Sequence, residues 1–565
     1  MKRKGKLFLL LLIIHFIAAG TVFAGGTQEA EPQESAGAVA SGRALPADAL
    51  PAAQQVFYAP LKDDTTTYMD IMKSQYNCIH FATESVQLSL VAFDNNFNTV
   101  PIGAESWEVA ADGLTWTFKL RQGMKYSDGT PITAGDWVYT LRRTVSQGYD
   151  FSWIWRSGAG IKNWSAVEKG ELPVEELGIS APDDNTLVIT TEVAKPYLPQ
   201  VLVWFYLVPR HAVEKHGDEY ATKADTMVAS GPYMIEEWVQ GDRITLVPNP
   251  YYNGPWKPYL SKLVFLYGVS DPVTAFPAYM NDEIYLTNLN MGQLALVRQN
   301  SPEELKSWPS PRVFYLAFDP NVAPFDDIRV RQALQFVLDR DEITSTVLKD
   351  ISIPEYQILA KGFVGYDKDA ASLSPHDADK ARKLLAEAGY PGGKGFPKLE
   401  LWIGNIASVA PWQEPAGEYL QAYFKKELGI EIVPRFLEKK TFIDAMKTRK
   451  HNFFMTSYKY DYIDPSTYLD VFLTGGRHAW SNAEYDKLIK AADAGGPWDA
   501  RLKNYQAAQR IMIKDASFVF MFQAQVHAAW KSNVKGEAVS PNEVGITSFE
   551  TGLVPFNYTH IYLSK

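Results

Sequence analysis

Residues Glu105 to Arg143 read ESWEVAADGLTWTFKLRQGMKYSDGTPITAGDWVYTLRR. Leu114, Trp116, Phe118 and Leu120 alternate with Thr115, Thr117, Lys119 and Arg121, the period of a half-buried strand. A turn is expected at Ser127-Asp128-Gly129-Thr130. Thr133 then stands as a helix cap with Asp136 three residues on, and Trp137, Leu141 and Val145 recur along one helical face. The stretch therefore reads strand, turn, capped helix.

Working outward, the N-terminus carries Lys2, Arg3, Lys4 and Lys6 before an apolar run from Leu7 to Ala19, and Val22-Phe23-Ala24 has the small residues a signal peptidase reads. The run is shorter than the roughly 20 residues that span a bilayer, so a cleaved signal over 1–24 is expected rather than an anchor. No cysteine stands at the cleavage site, which excludes lipid attachment there and leaves a periplasmic protein as the expectation. Residues 25–53, rich in Gly, Ala, Glu, Pro and Ser without a periodic apolar face, read as a flexible leader. The apolar run Val201 to Val208 is strand-sized, and no transmembrane helix is expected in the mature chain.

Removing the four basic signal residues takes the formal charge from −10 to about −14, a mildly acidic balance that argues against a nucleic-acid partner. Cys78 is the only cysteine, so no intramolecular disulfide forms and stability rests on a large core. It reads as a small packing residue. With 565 residues, 46% of them apolar, the chain is expected to divide into more than one domain. Helices are expected at 327–338, with Val330, Ala333, Leu334, Val337 and Leu338 as the apolar stripe, and at 375–388, with Ser374 as N-cap and Pro375 at the first helical position.

The opening stretch resembles the oligopeptide- and dipeptide-binding family of extracytoplasmic solute-binding proteins that serve ABC importers, in its run W-E, D-G-L-T, F-x-L-R, S-D-G-T-P-x-T-A, V-Y. Further matches follow in the family's order at Ser230 to Gly254, Phe325 to Arg340, Ala381 to Pro391, Thr441 to Leu473 and Ser481 to Leu488. Between Ala53 and Val100 the likeness is weak. The resemblance implies an α/β, two-lobed periplasmic-binding-protein fold of type II, in the large form with an extra inserted domain and the ligand cleft between lobes. Lobe I is expected over 54–93, 187–295 and 535–565, the inserted domain over 94–186, and lobe II over 296–534. It also implies a monomer that captures short peptides without a cofactor and delivers them to the transmembrane subunits of an ABC permease.

In such relatives a W-x-A-D-Y-x-x-P stretch carries the aspartate that pairs with the peptide's α-ammonium group; it matches Tyr458-Lys459-Tyr460-Asp461-Tyr462-Ile463-Asp464-Pro465 here, placing the aspartate at Asp461. A carboxylate in a closed, low-dielectric cleft is a strong charge-assisted anchor for a cation. The bland alternative is an aspartate that starts a turn before Pro465. Tyr458 matches a family tryptophan beside the ligand. Phe453, Phe454, Tyr458, Tyr460 and Tyr462 suggest an extended aromatic-walled segment that pairs its backbone with an extended ligand, with Lys459 a further candidate ligand contact within it; a plain core strand is the alternative for Phe453 and Phe454. Phe151 and Trp153, with Trp155, lie where a relative places a cleft tyrosine.

The chain departs from the family where relatives carry basic residues for the peptide carboxylate, since those positions fall on Met446 and Met455. Lys447, Arg449, Lys450 and Lys459 are nearby candidates for that role. The rival ligand is an oligosaccharide stacked on aromatic faces, which Trp402 and Trp412 keep open. A secreted hydrolase finds little support: HExxH, GxSxG and Walker sequences are absent. His211 and His216, five apart, do not share a helical face for a metal, and a nickel-binding relative finds no support in histidine or cysteine spacing.

Overall fold

The computed structural model describes residues 39–61, 67–73, 80–149, 152–269, 271–349, 351–405, 413–542 and 556–565. The expected signal segment, Cys78, Phe151 and Trp412 lie outside them. The described residues belong to one unit, Ala36–Lys565.

The opening stretch folds as its pattern predicts. Thr115–Leu120 is a strand with Trp116, Phe118 and Leu120 buried, and Gly129 takes φ +86° in the turn. Ala134–Gln147 is a helix whose Asp136 carboxylate accepts from the Thr133 amide at 2.9 Å. Trp137, Leu141 and Val145 are buried, and Gly148 ends the helix in the left-handed region.

Three larger sheets organise the described residues. A four-stranded antiparallel sheet runs Ala104–Val109, Thr115–Leu120, Thr186–Thr190, Ile179–Asp183. A second runs Val56–Pro60, Lys262–Leu266, Arg243–Pro248, Tyr233–Val239, with its first pair parallel. The third has seven strands in the order Leu286–Asn288, Phe518–Trp530, Leu305–Phe318, Phe453–Tyr458, Leu399–Asn405, Ile432–Glu438, with Ser352–Pro354 attached to Phe518–Trp530.

That seven-stranded sheet separates two cores, which explains its unbroken apolar runs. In Val313–Phe318, Val313, Tyr315 and Ala317 point into the larger core, while Phe314, Leu316 and Phe318 point into a second one with Phe325, Leu334 and Phe453. A strand covered on both faces needs apolar residues at consecutive positions rather than alternation.

Three expectations are corrected. Residues 39–53 are not a free leader. Val39 and Ala49 are buried, the Leu50 amide donates to the Leu563 carbonyl at 2.8 Å, and the Arg43 guanidinium lies 3.4 Å from the Tyr259 ring centroid. Val201 to Val208 is not a strand: a helical turn at Leu198–Val201 and a 3-10 turn at Leu202–Trp204 precede a single bridge from Tyr206 to Ser89.

The helix expected from Pro375 starts later, at Ala378, because Asp377 is its cap and accepts from the Lys380 amide at 2.9 Å. Ser374 is buried with no partner for its hydroxyl among the described residues. Asp377→Ala is therefore expected to cost about 1 kcal/mol in denaturant unfolding. Ser374→Ala should cost less, and the reverse order would restore Ser374 as the cap. The helix expected at 327–338 forms over Ile328–Val337 with Asp327 as cap.

Candidate ligand-binding site

The strand Phe453–Tyr458 is held in the interior of the seven-stranded sheet. It pairs along its whole length with Val313–Phe318 and, at Phe454 and Met455 only, with Trp402 and Ile403. Just past its end, Asp461 is half-buried. The Tyr458 hydroxyl donates to its Oδ2 at 2.7 Å, and its own amide donates to Thr467 Oγ1 at 2.8 Å. The indole N–H of Trp204, from the corrected 201–208 segment, donates to the Asp461 carbonyl at 2.6 Å. Loss of solvent raises the Asp461 pKa from its ordinary value, against the lowering effects of the Tyr458 hydrogen bond and of Lys459, Arg312 and Arg477.

The second aspartate of the loop has a different job. Asp464 is buried and pairs with Arg501 Nη2 at 2.7 Å. Its other oxygen accepts from the Tyr505 hydroxyl at 3.1 Å and the Ser466 amide at 3.1 Å. The same Tyr505 hydroxyl lies 2.8 Å from Asp493 Oδ1, so its single proton is shared between the two carboxylates. Every lone-pair direction that matters is thus occupied by scaffold, and only Asp461 retains partial exposure.

The aromatic residues divide in the same way. Tyr458 is half-buried and oriented by Asp461, and Lys459 is half-buried beside it. Tyr460 and Tyr462, expected as ligand walls, pack as core instead. Tyr460 stacks on Phe363 at 5.3 Å, and Tyr462 stacks on Tyr197 at 5.3 Å with its rings 11° from parallel. Their exposures of 4% and 2% leave no face for a ligand in this arrangement. Trp153 is half-buried against the larger core. Phe453 stacks on Phe318 and Phe325, as the core alternative anticipates. Phe454 instead joins Phe442 and Met446 in a small separate cluster.

Two basic residues escaped sequence reasoning. Arg312 donates to Ser457 Oγ at 3.0 Å, and Arg477 donates to Thr456 Oγ1 at 3.1 Å and lies 5.4 Å from the Tyr458 ring centroid. Arg312 lies 149 residues before Asp461 and only strand pairing brings it near; no local pattern signals it. Trp402, a candidate sugar platform, already has His451 stacked on its ring at 4.3 Å. Among the described residues no cluster of metal-ligating side chains occurs and no helix is long and apolar enough to cross a membrane.

With this fold the chain falls in the class of two-lobed α/β binding proteins. The profile of the bacterial extracellular solute-binding proteins, family 5 Middle, matches residues 98–480, and the chain belongs to that family. It is 29% identical over 506 residues to the probable deoxycholate-binding periplasmic protein YgiS of Escherichia coli K12, covering 87% of this chain and 92% of the relative. It is 28% identical over 453 residues to the periplasmic oligopeptide-binding protein OppA of Salmonella typhimurium, covering 77% and 81%. Among solved structures it is similar to the E. coli murein tripeptide binding protein MppA, with a TM-score of 0.74, 25% identity and coverage of 90% and 98%. A peptide-bound OppA of Listeria monocytogenes gives a TM-score of 0.70 at 25% identity, with coverage of 90% and 99%.

Proposed function

We propose that this protein captures short peptides outside the cytoplasmic membrane by their amino end and hands them to an ABC permease, with no chemistry on the ligand. The observation that carries this is Asp461. It is a half-buried carboxylate fixed through its Tyr458 hydrogen bond and its own backbone, with no cation in ion-pair contact among the described residues. Relatives named for oligopeptide, dipeptide and murein peptide binding support the ligand class. Trp204, on the segment expected in lobe I, closes over the Asp461 carbonyl, so a ligand enters when this contact opens. Binding contacts made by both lobes then favour the closed state.

A second reading is supported by the relative named as a probable deoxycholate-binding protein. Deoxycholate carries a carboxylate and no ammonium, so it would leave Asp461 without a role. Mass spectrometry of what is released when protein purified from its host is denatured separates the two. Mixed short peptides are the expected result; a steroid carboxylate or a saccharide would remove the peptide reading and Asp461 with it.

The raised pKa of Asp461 gives a sign to the pH dependence. An ammonium group binds the ionised carboxylate, so affinity is full above the pKa of the free protein and falls as pH drops through it, approaching about tenfold per pH unit. Calorimetry should show proton release on binding across that window. A flat profile from neutral pH down to the ordinary carboxylate range would contradict the anchor.

A further inference from the structure

Thr456 and Tyr458 stand two residues apart on one strand and therefore share a face. Arg477 reaches across both, bonded to the first and lying over the ring of the second. Its backbone N–H donates to the Val471 carbonyl at 2.9 Å. The Thr456 hydroxyl takes one of the five N–H groups of the guanidinium. Among the described residues no carboxylate lies within ion-pair distance of Arg477, although the side chain is half-buried.

On this same face a pocket of about 20 Å³ is lined by Arg477, Arg449, Met446, Phe454, His478 and Asp319, among others. Such a volume holds roughly one water-sized group, far less than a sugar ring. Arg449, exposed, donates to the His478 carbonyl at 3.4 Å and likewise has no carboxylate in ion-pair contact among the described residues. His478 is buried, and its pKa is pushed well below the ordinary value by burial and by Arg477 and Arg449, so it adds no charge of its own. Two guanidiniums thus face one small pocket whose remaining walls are chiefly neutral, with Asp319 as the acidic member.

We propose that Arg477, with Arg449 beside it, is the carboxylate-binding arm of the ligand site and that it makes this protein selective for very short peptides. The assignment rests on the reading that Asp461 holds the peptide's amino end. Arg477 is one tyrosine side chain away from that anchor: it lies 5.4 Å from the Tyr458 ring centroid, and the ring's hydroxyl is 2.7 Å from Asp461. Laid end to end these contacts span at most about 11 Å, which an extended chain rising about 3.3 Å per residue covers in about three residues or fewer. A planar guanidinium presents paired N–H groups to a carboxylate, which supplies both charge and direction.

The test uses full-length protein, unfolded and refolded to remove bound material, and calorimetry with alanine-based peptides of two to five residues, each as free acid and as C-terminal amide. Free acids of two or three residues are expected to bind best, and amidation should weaken them about 10- to 100-fold. In Arg477→Met the free acids should weaken by a similar factor and the acid–amide difference should shrink toward one. Thermal melts confirm that the variant folds, and the comparison of acid with amide on the unaltered protein stands without it. Equal binding of acids and amides overturns the Arg477 assignment alone, as does tightest binding by the pentapeptide. Failure of every peptide to bind overturns the peptide reading and this assignment together.

Discussion

Asp461→Asn lowers peptide affinity about a hundredfold or more while leaving the thermal midpoint close to that of the unaltered protein. Both halves follow from the site. Removing one partner of a desolvated ion pair costs about 3–5 kcal/mol, and each 1.4 kcal/mol is a factor of ten in affinity. Stability is spared because burial already raises the Asp461 pKa, so the free protein gives up an unfavourable charge when the carboxylate becomes an amide. The oxygen of the substituted amide can still accept from Tyr458. Calorimetry with one free-amine peptide and its N-acetylated form reads the effect directly. The variant should bind both forms alike, and an undiminished preference for the free amine would place the ammonium site elsewhere.

Arg501→Met produces the opposite pattern, a large loss of stability. Arg501 and Asp464 are 8% and 4% exposed at the side chain and 2.7 Å apart. Deleting the cation strands a buried carboxylate, an effect of about 3–5 kcal/mol in unfolding free energy. Asp464 retains the Tyr505 hydroxyl and the Ser466 amide, which places the expected loss at the lower end of that range. The double variant Arg501→Met with Asp464→Asn should be less destabilised than the single one, because no charge is then left unpaired. A single variant within about 1 kcal/mol of the unaltered protein would mean that water reaches Asp464 and that the loop does not depend on this pair.

The two aspartates of one loop show why sequence reading stops where it does. Asp461 and Asp464 sit three residues apart in the same tyrosine-rich stretch, and nothing local tells anchor from scaffold. The distinction comes from Arg501 and Tyr505, contributed by a helix, Trp498–Asp515, well downstream. Tyr460 and Tyr462 were legible as aromatic and extended, yet their partners Phe363 and Tyr197 lie about 97 and 265 residues earlier in the chain.

What the sequence determined by itself was what depends on neighbours along the chain. That covers the alternation of Thr115–Leu120, the Thr133–Asp136 cap, the Asp327 helix, and a family pattern long enough to imply the fold and to point at Asp461. The tertiary structure alone decided which polar groups keep access to a ligand. It packed residues 39–53 against Leu563, turned Val201–Val208 into helical turns whose Trp204 bonds the Asp461 carbonyl, and brought Arg312 and Arg477 onto Thr456-Ser457-Tyr458. Local structure follows from backbone and side-chain preferences within a few residues, whereas exposure and charge balance at a site are sums over segments that meet only when the chain has folded.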